Sequence, residues 1–328
     1  MTKTAFLITI DTEGDDIWGR PGRITTENSR FLPRFQRLCQ EHGFKPTYLV
    51  NYEMAIDPRF QELGSAVLKE NAGEIGLHVH PWNSPPVPGG RADDAAGDHV
   101  YMYEVPDELL HAKAAFLTNL LGDTFGAAPR SHRAGRWGFD EKVARVVSEL
   151  GYLADCSVTP GVSWRRHKGA ADGGGGPDFF GFPEKPYFLD LDDIRRPGTS
   201  RLLEVPMTIR PNYRRPVEKV HHAFREGRIG TAIRNIWGKS HSWLRPNGKN
   251  LDEMRSVTDW AVDRGAPALE FMLHSSEFMP GGSPTFDTAE KIERLYDHLK
   301  RLFSHISSRG VSGQTLSEFR AEWNGSAR

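Results

Sequence analysis

Apolar residues recur along the chain in two alternating patterns. Short runs rich in β-branched and aromatic residues, such as AFLITI at 5–10, have the composition of buried strands. Longer stretches, such as 140–150, repeat their apolar residues at three- and four-residue spacing, which is typical of a helix that buries one face. Regular alternation of the two patterns predicts an α/β fold with parallel strands.

The two patterns assign most of the chain. Strands are predicted at 5–10, 47–50, 74–78, 152–154, 202–205 and 268–273, and helices at 29–41, 58–70, 106–121, 140–150 and from about 287 to Gly310. The spacing of Asp287 and Glu290 predicts a capping box for the last helix. About seven β/α repeats fit a closed or nearly closed barrel better than a nucleotide-binding sheet, since no GxGxxG motif follows the first strand. We expect a single domain over 1–328.

Composition narrows the classes of function. The charges are balanced, with 42 Lys and Arg against 43 Asp and Glu, so the chain as a whole has no attraction to nucleic acid or to a membrane surface. The two cysteines, Cys39 and Cys156, are too few for a disulfide framework or a cysteine zinc cluster. We expect a cytoplasmic protein, because no signal peptide and no apolar stretch of roughly 20 residues is evident.

The segment 207–265 differs from the rest of the chain in charge. Within it, 210–255 carries eleven Lys or Arg against four Asp or Glu, interleaved with aromatic residues. We interpret the segment as a basic helical insertion that covers one side of the barrel. The alternative is a rim that binds an anionic sugar, such as a nucleotide- or lipid-linked one.

Polar residues cluster directly after several apolar runs. In a parallel barrel the carboxyl ends of the strands form one face, where catalytic residues gather. Asp11 and Glu13 follow the first run two residues apart, so both point to one side of an extended chain. Two adjacent carboxylates need a cation or hydrogen bonds, which favours a metal site. For Asp15 and Asp16, a loop that caps a turn is an equally good interpretation.

His78 and His80, in EIGLHVHPW, have the same spacing of two after a later run. Neutral imidazoles on one side of a strand end can coordinate one ion. A histidine pair alone is more often solvated, so the interpretation as a ligand pair depends on the company of Asp11 and Glu13.

Two further residues are candidates for catalysis. His274 follows the apolar run LEFML, where burial beside carboxylates would suit a general acid or base, and a core histidine bonded to backbone is the alternative. Arg133, in SHRAGRWGF, could orient a carboxylate through a bidentate contact or form an ordinary ion pair. If they line a cleft rather than pack in the core, four tryptophans could stack on sugar rings: Trp82, Trp137, Trp164 and Trp243.

Taken in order, these stretches resemble the motifs of the polysaccharide deacetylase family, the NodB-homology group of metal-dependent carbohydrate deacetylases. The resemblance rests on TIDTEGD, IGLHVHPW, HRAGRWG, ADCSVTP and FMLHSSE, which span residue 5 to about residue 280. It implies a distorted (β/α)7-type barrel and removal of an N- or O-linked acetyl group from an amino sugar or glycan precursor. The HxHPW form is similar to a branch found with lipopolysaccharide or capsule assembly.

The resemblance also implies catalytic roles for individual residues. Asp11 would be the general base, and Arg133 would orient it. His274 would be the general acid, supported by the carboxylate of Asp155.

The metal ligands that the resemblance implies include one substitution. Glu13 and His78 match ligand positions, but the second histidine of the family motif H-x-x-x-H falls on Trp82, which cannot ligate a metal. We expect His80 to replace it. The ion would be Zn²⁺, with Co²⁺ or Ni²⁺ as alternatives, and the substrate an acetylated sugar or glycan.

Two other functions remain open from the sequence. A non-catalytic glycan-binding or scaffolding protein could keep the barrel with a degenerate site. A hydrolase of the same fold could instead act on a small non-peptide C–N bond, in which case a closed pocket rather than an open groove is expected.

Overall fold

The structure is a computed structural model that describes residues 4–16, 24–86, 99–171, 173–212 and 239–323. Its strands are β1 (Ala5–Thr12), β2 (Pro46–Val50), β3 (Glu74–Val79), β4 (Ser131–Ala134), β5 (Ala154–Asp155), β6 (Tyr187–Phe188), β7 (Leu203–Glu204), β8 (Ile209–Pro211), β9 (His241–Trp243), β10 (Ala268–His274) and β11 (Ser312–Gly313). Its helices are α1 (Leu32–Glu41), α2 (Tyr52–Ala55), α3 (Pro58–Lys69), α4 (Asp107–Phe125), α5 (Glu141–Glu149), α6 (Leu251–Asp263), α7 (Ala289–Ser308) and α8 (Leu316–Glu322).

Nine of the strands form one curled, mostly parallel sheet. Its order is β10-β1-β2-β3-β4-β5-β7-β6, with β11 beside β1, and β6 and β7 are its antiparallel pair. Strand β1 is buried along its whole length and pairs with β2 on one edge and β10 on the other. Such continuous apolar runs are typical of parallel strands that are covered on both faces. The predicted α/β class is therefore confirmed.

The segment after β7 bridges the open side of the curled sheet. The backbone N–H of Thr208 donates to the carbonyl oxygen of Glu270 on β10 at 3.3 Å. The N–H of Glu270 donates in return to the hydroxyl of Thr208 at 2.8 Å. The sheet is thus a distorted, nearly closed barrel with one irregular junction, as predicted.

Helix starts follow ordinary capping chemistry. Asp140 accepts a hydrogen bond from the N–H of Val143 at the start of α5, as predicted. The capping box predicted at Asp287 is wrong, because Thr288 is the N-cap of α7 and accepts from the N–H of Lys291. Threonine is also among the residues preferred at the N-cap, so the helix can begin one residue later than the aspartate.

The region predicted as a helical insertion contains strands as well as a helix. Strands β8 and β9 form an antiparallel hairpin, and α6 follows it. Residues 213–238 of the predicted insertion lie outside the described residues. Of the helices described, none combines the length and the apolar character that crossing a membrane requires.

A buried carboxylate, Glu74, begins β3 at the amino end of the barrel. It accepts hydrogen bonds from the hydroxyls of Thr47 and Ser131 and from the backbone N–H and hydroxyl of Ser317. We call these four residues the Glu74 cluster. Because Ser317 belongs to α8, the cluster fixes the last described helix to the strands.

Candidate metal centre and catalytic cleft

Strand register brings the predicted site residues together at the carboxyl end of the barrel. Asp11 at the end of β1 is paired with His274 at the end of β10. His78 on β3 is paired with Arg133 on β4. Since adjacent strands lie about 4.8 Å apart, residues 263 and 55 positions apart in sequence become neighbours.

Glu13, His78 and His80 form a compact buried cluster. Oε1 of Glu13 lies 2.8 Å from Nε2 of His78 and 2.5 Å from Nε2 of His80. One potential ligand atom from each residue lies within 4.8 Å of the others. Burial raises the pKa of Glu13, but the hydrogen bonds and charges of the two histidines hold it well below its usual value.

His78 contacts a hydrogen-bond acceptor at each ring nitrogen. Nδ1 lies 2.8 Å from the carbonyl oxygen of Arg133, and Nε2 lies 2.8 Å from the Glu13 carboxylate. A neutral imidazole has one N–H and can satisfy only one of these acceptors. Protonation of the ring, or a cation between Nε2 and the carboxylate, resolves the conflict. Burial lowers the pKa of His78, but Asp11 and Glu13 outweigh it and raise the pKa.

His80 is fixed by close packing. Its ring lies 4.4 Å from that of Trp82, centre to centre. On another side, a Cβ added to Gly135 would lie 2.3 Å from Nδ1 of His80, so the backbone can approach the ring this closely only at glycine. His80 thus points its Nε2 at Glu13, whereas Trp82 at the family's usual ligand position packs against it.

Asp11 lies between a fixed cation and two histidines. Its Oδ1 accepts a hydrogen bond from Nη1 of Arg133 at 2.6 Å. Its Oδ2 lies 4.0 Å from Nε2 of His78 and 3.7 Å from Nε2 of His274. Burial raises the pKa of Asp11, but Arg133 and the histidines lower it overall, so the carboxylate is ionised and can accept a proton.

Arg133 is fully buried and is held at every nitrogen. Nη2 donates to the hydroxyl of Thr9 at 2.7 Å and to Glu270 at 2.6 Å, and Nε donates to the carbonyl of Cys156 at 3.0 Å. A buried guanidinium needs such partners to offset its desolvation. Arg133 thus contacts Asp11 through Nη1 alone and not by the bidentate contact considered from the sequence, and the orienting role that the resemblance implies stays a prediction.

The surroundings of His274 differ from the prediction. Glu277 accepts a hydrogen bond from the backbone N–H of His274 at 2.9 Å and lies 3.3 Å from its Nδ1. Nη2 of Arg245 lies 3.1 Å from the same Nδ1 and 3.1 Å from Oε2 of Glu277. Asp155, which the resemblance assigns to this position, instead contacts Nδ1 of His132 at 2.5 Å. The carboxylate hydrogen-bonded to His274 is thus Glu277.

The acidic residues after β1 have different surroundings. Asp15 accepts hydrogen bonds from the hydroxyl of Thr25 and from the backbone N–H groups of Glu27 and Asn28. Asp16 is exposed. The turn-capping interpretation therefore holds for Asp15, in contrast to Glu13.

A cleft of about 530 Å³ opens above the cluster. Asp11, Glu13, His78, His80 and His274 line it, and so do the four tryptophans named from the sequence. Trp137 and Trp164 are nearly parallel with ring centres 6.4 Å apart, and Trp243 lies 6.3 Å from Trp164. The condition under which the tryptophans could stack on sugar rings, that they line a cleft rather than pack in the core, is therefore met.

One turn of the cleft wall has unusual backbone geometry. Arg136 and Trp137, which follow Gly135, have φ values of 56° and 61°. The left-handed region costs a residue with a side chain about 1–2 kcal/mol. Such strain persists where the surroundings enforce it, and it concentrates at functional sites. Both side chains line the cleft.

Sequence reasoning missed three residues of the site. Arg136 and Arg245 line the cleft, and the buried Glu277 accepts a hydrogen bond from the backbone of His274. Glu277 had a signal, since H-x-x-E has capping-box spacing and directly follows a strand. Arg245 had none, because it is 29 residues from His274 and reaches it through the fold.

Solved structures of similar fold exist, although no family profile and no curated protein matches the sequence. The 4-alpha-glucanotransferase of Thermococcus litoralis is similar over 99% of this chain, with a TM-score of 0.53 and 12% identity, and the chain covers 41% of that protein. A peptidoglycan N-acetylglucosamine deacetylase has a TM-score of 0.46 and 12% identity over 97% of this chain and 89% of its own. The family 4 carbohydrate esterase of Streptomyces lividans has a TM-score of 0.43 and 9% identity over 95% and 91%. Family 4 carbohydrate deacetylases are thus among the similar structures.

At these identities the likeness concerns the fold alone. The match to the glucanotransferase shows a shared barrel architecture, and the chain spans less than half of that enzyme. Barrels of this kind support many chemistries. The function therefore has to be argued from the residues of the cleft.

Proposed function

We propose that this protein is a metal-dependent hydrolase of the polysaccharide deacetylase family, which removes an acetyl group from an amino sugar or glycan precursor. The observation that carries the proposal is the convergence of two imidazole Nε2 atoms on one carboxylate oxygen, beside the separate carboxylate of Asp11. Metal ligands and a general base are then distinct groups in one cleft.

The donor set fits a divalent cation. Glu13, His78 and His80 would bind it, because two imidazoles and a carboxylate are typical ligands of a catalytic zinc site that leaves a position open. The two acceptors that face the ring nitrogens of His78 support this. A neutral ring can donate to only one of them, and a cation between Nε2 and the Glu13 carboxylate would satisfy the other without protonating the ring. We propose Zn²⁺, with Co²⁺ and Ni²⁺ as alternatives. A bound ion would polarise the acetyl carbonyl and lower the pKa of a water molecule.

Asp11 would remove the proton from the attacking water. Its lowered pKa keeps it ionised near neutral pH, and the Arg133 hydrogen bond fixes one oxygen so that Oδ2 points into the cleft. His274 would donate the proton that the leaving amine or alcohol requires, from Nε2, 3.7 Å from Asp11. Groups with opposite roles on adjacent strands can act on one bond.

The tryptophans support a carbohydrate as the substrate. Apolar faces of sugar rings pack on aromatic side chains, and three indoles lie around one cleft. The same tryptophans also favour a second candidate, a glycan-binding protein without turnover. The cytoplasmic location expected from the sequence stays a prediction.

Metal content tests the proposal first. The purified, extensively dialysed wild type is compared with the double variant His78→Ala/His80→Ala by plasma mass spectrometry. The control is His298→Ala/His305→Ala, which removes two histidines from α7, away from the cleft. We expect near-stoichiometric metal in the wild type and control, and at least a hundredfold weaker retention in the ligand variant.

Acetate release from N-acetylated amino sugars completes the test. The deacetylase is supported if the wild type binds metal and releases acetate and the ligand variant loses both. Metal without acetate release from any acetylated sugar favours the binding protein. No metal in the wild type, even after addition of Zn²⁺, Co²⁺ or Ni²⁺, would overturn the proposal.

A further inference from the structure

Away from the proposed metal site, the cleft lining carries more cationic side chains than carboxylates. Apart from the residues around the metal, its lining includes Arg136, Lys239 and Arg245 against one carboxylate, Glu253. Two histidines, His167 and His241, line it as well. Because a cation that already has a carboxylate partner contributes little to ligand binding, the partners of the three cations determine which of them can bind an anion.

Two of the three cations have carboxylate partners. Nζ of Lys239 lies 3.5 Å from Glu253, and Arg245 is paired with Glu277 at 3.1 Å. In the described part of the chain, Arg136 contacts an aromatic residue instead. Its guanidinium carbon lies 6.0 Å from the ring centre of Tyr101.

Tyr101 holds the guanidinium in place. Its ring stacks on that of Tyr103 at 5.2 Å with a tilt of 10°, and its hydroxyl donates to the carbonyl of His167 at 3.0 Å. The hydroxyl of Tyr103 donates to the carbonyl of Gly175 at 2.8 Å. A guanidinium against a fixed aromatic stack keeps several of its five N–H groups for a ligand and loses little rotamer freedom when it binds one.

The position of Arg136 relative to the metal centre follows from the strained turn. Gly135 packs against the ring of His80, and Arg136 is the next residue. Its left-handed backbone, with φ of 56°, turns the chain so that both Arg136 and Trp137 line the cleft. A glycine would adopt this geometry without strain, yet an arginine occupies it.

We infer that Arg136 is the centre of an anion subsite, and that the sugar substrate carries a phosphate or carboxylate group near its acetyl group. This inference rests on the proposed function. Planar guanidinium groups bind phosphate and carboxylate oxygens through two parallel hydrogen bonds. Arg136 also lines the same cleft as the proposed metal ligands, so one sugar can reach both. Trp137, Trp164 and Trp243 line the same cleft and would receive the sugar ring.

Matched sugars test the subsite in the zinc-loaded protein. Acetate release is measured with N-acetylglucosamine, N-acetylglucosamine 1-phosphate and N-acetylglucosaminuronic acid. We expect kcat/KM to favour one anionic sugar over the neutral one, and Arg136→Gln to reduce that preference about tenfold or more. Which anionic sugar is preferred distinguishes phosphate from carboxylate. The control Arg166→Gln changes an exposed arginine that does not line the cleft and should keep the preference.

Binding calorimetry separates this inference from the proposed function. Arg136-dependent binding of an anionic sugar without acetate release would support the subsite and refute the deacetylase. Acetate release with equal kcat/KM for neutral and anionic sugars, unchanged in Arg136→Gln, would refute the subsite and leave the deacetylase intact. If none of the three sugars binds and none releases acetate, the subsite is overturned. A preference that Arg136→Gln and Arg136→Lys both retain would overturn it too.

Discussion

Strand β3 has a buried polar centre at each end, and the two centres are satisfied in opposite ways. At its start, Glu74 accepts four hydrogen bonds, all from uncharged hydroxyl and backbone donors. Near its end, His78 contacts two acceptors with a ring that, when neutral, donates once. One centre is complete within the protein, and the other becomes complete with a proton or a metal ion.

The contrast separates structural polar groups from functional ones. Burying a polar group is costly unless it is hydrogen-bonded, so a complete network such as the Glu74 cluster stabilises the fold. A buried centre whose donors and acceptors do not match is stabilised when it binds a proton or a cation, and it therefore favours such a ligand. Burial and charge alone do not distinguish the two, because Glu13 and Glu74 are both buried carboxylates.

The largest effect is expected from Asp11→Asn. Loss of the base should lower turnover about a thousandfold while metal content stays unchanged, because Asp11 lies outside the ligand cluster. Acetate release and plasma mass spectrometry measure the two quantities. Asp16→Asn, in the same loop but exposed, is the control and should keep full activity. Undiminished turnover in Asp11→Asn would remove Asp11 as the base.

A smaller effect is expected at the other end of β3. Glu74→Ala leaves buried hydroxyls without their acceptor, so we expect the free energy of unfolding to fall by about 2–3 kcal/mol. Urea denaturation in the presence of a chelator measures it, with the exposed Glu62→Ala as the control. Metal content should not change. If Glu74→Ala also lost metal, the two ends of β3 would not be independent.

The sequence predicted the parts of the site that lie on long apolar strands. Asp11 and the two histidines follow runs whose type is unmistakable, and parallel strands bring their carboxyl ends to one face. Strand β4 was missed as a strand because its residues include His132 and Arg133. Their burial depends on partners such as Glu270, 137 residues from Arg133, which no local pattern shows.

Partners that only the fold brings together could not be predicted either. The resemblance assigned support of His274 to Asp155, but in the structure Asp155 forms a buried network with His132 and Glu204. Burial raises the pKa of Glu204 well above its usual value, and the neighbouring carboxylate of Asp155 raises it further. The rings of Phe139 and Tyr152 pack against His132, which belongs to this network.

The smallest expected effect decides between Glu277 and Asp155 as the carboxylate that positions His274. Glu277→Gln keeps the shape of the side chain but removes the negative charge that faces Arg245 and His274. Removing a hydrogen-bonded partner that positions a functional side chain usually lowers activity about tenfold or more. We therefore expect kcat to fall about tenfold, with KM and metal content unchanged. Asp155→Asn should instead lower the midpoint of urea unfolding and leave kcat per folded molecule within about twofold, because Asp155 acts on His132. The opposite pattern, a fall in kcat for Asp155→Asn alone, would restore the role that the resemblance implies. It would also mean that polar groups behind the sheet, as well as those in the cleft, belong to the functional end of the barrel.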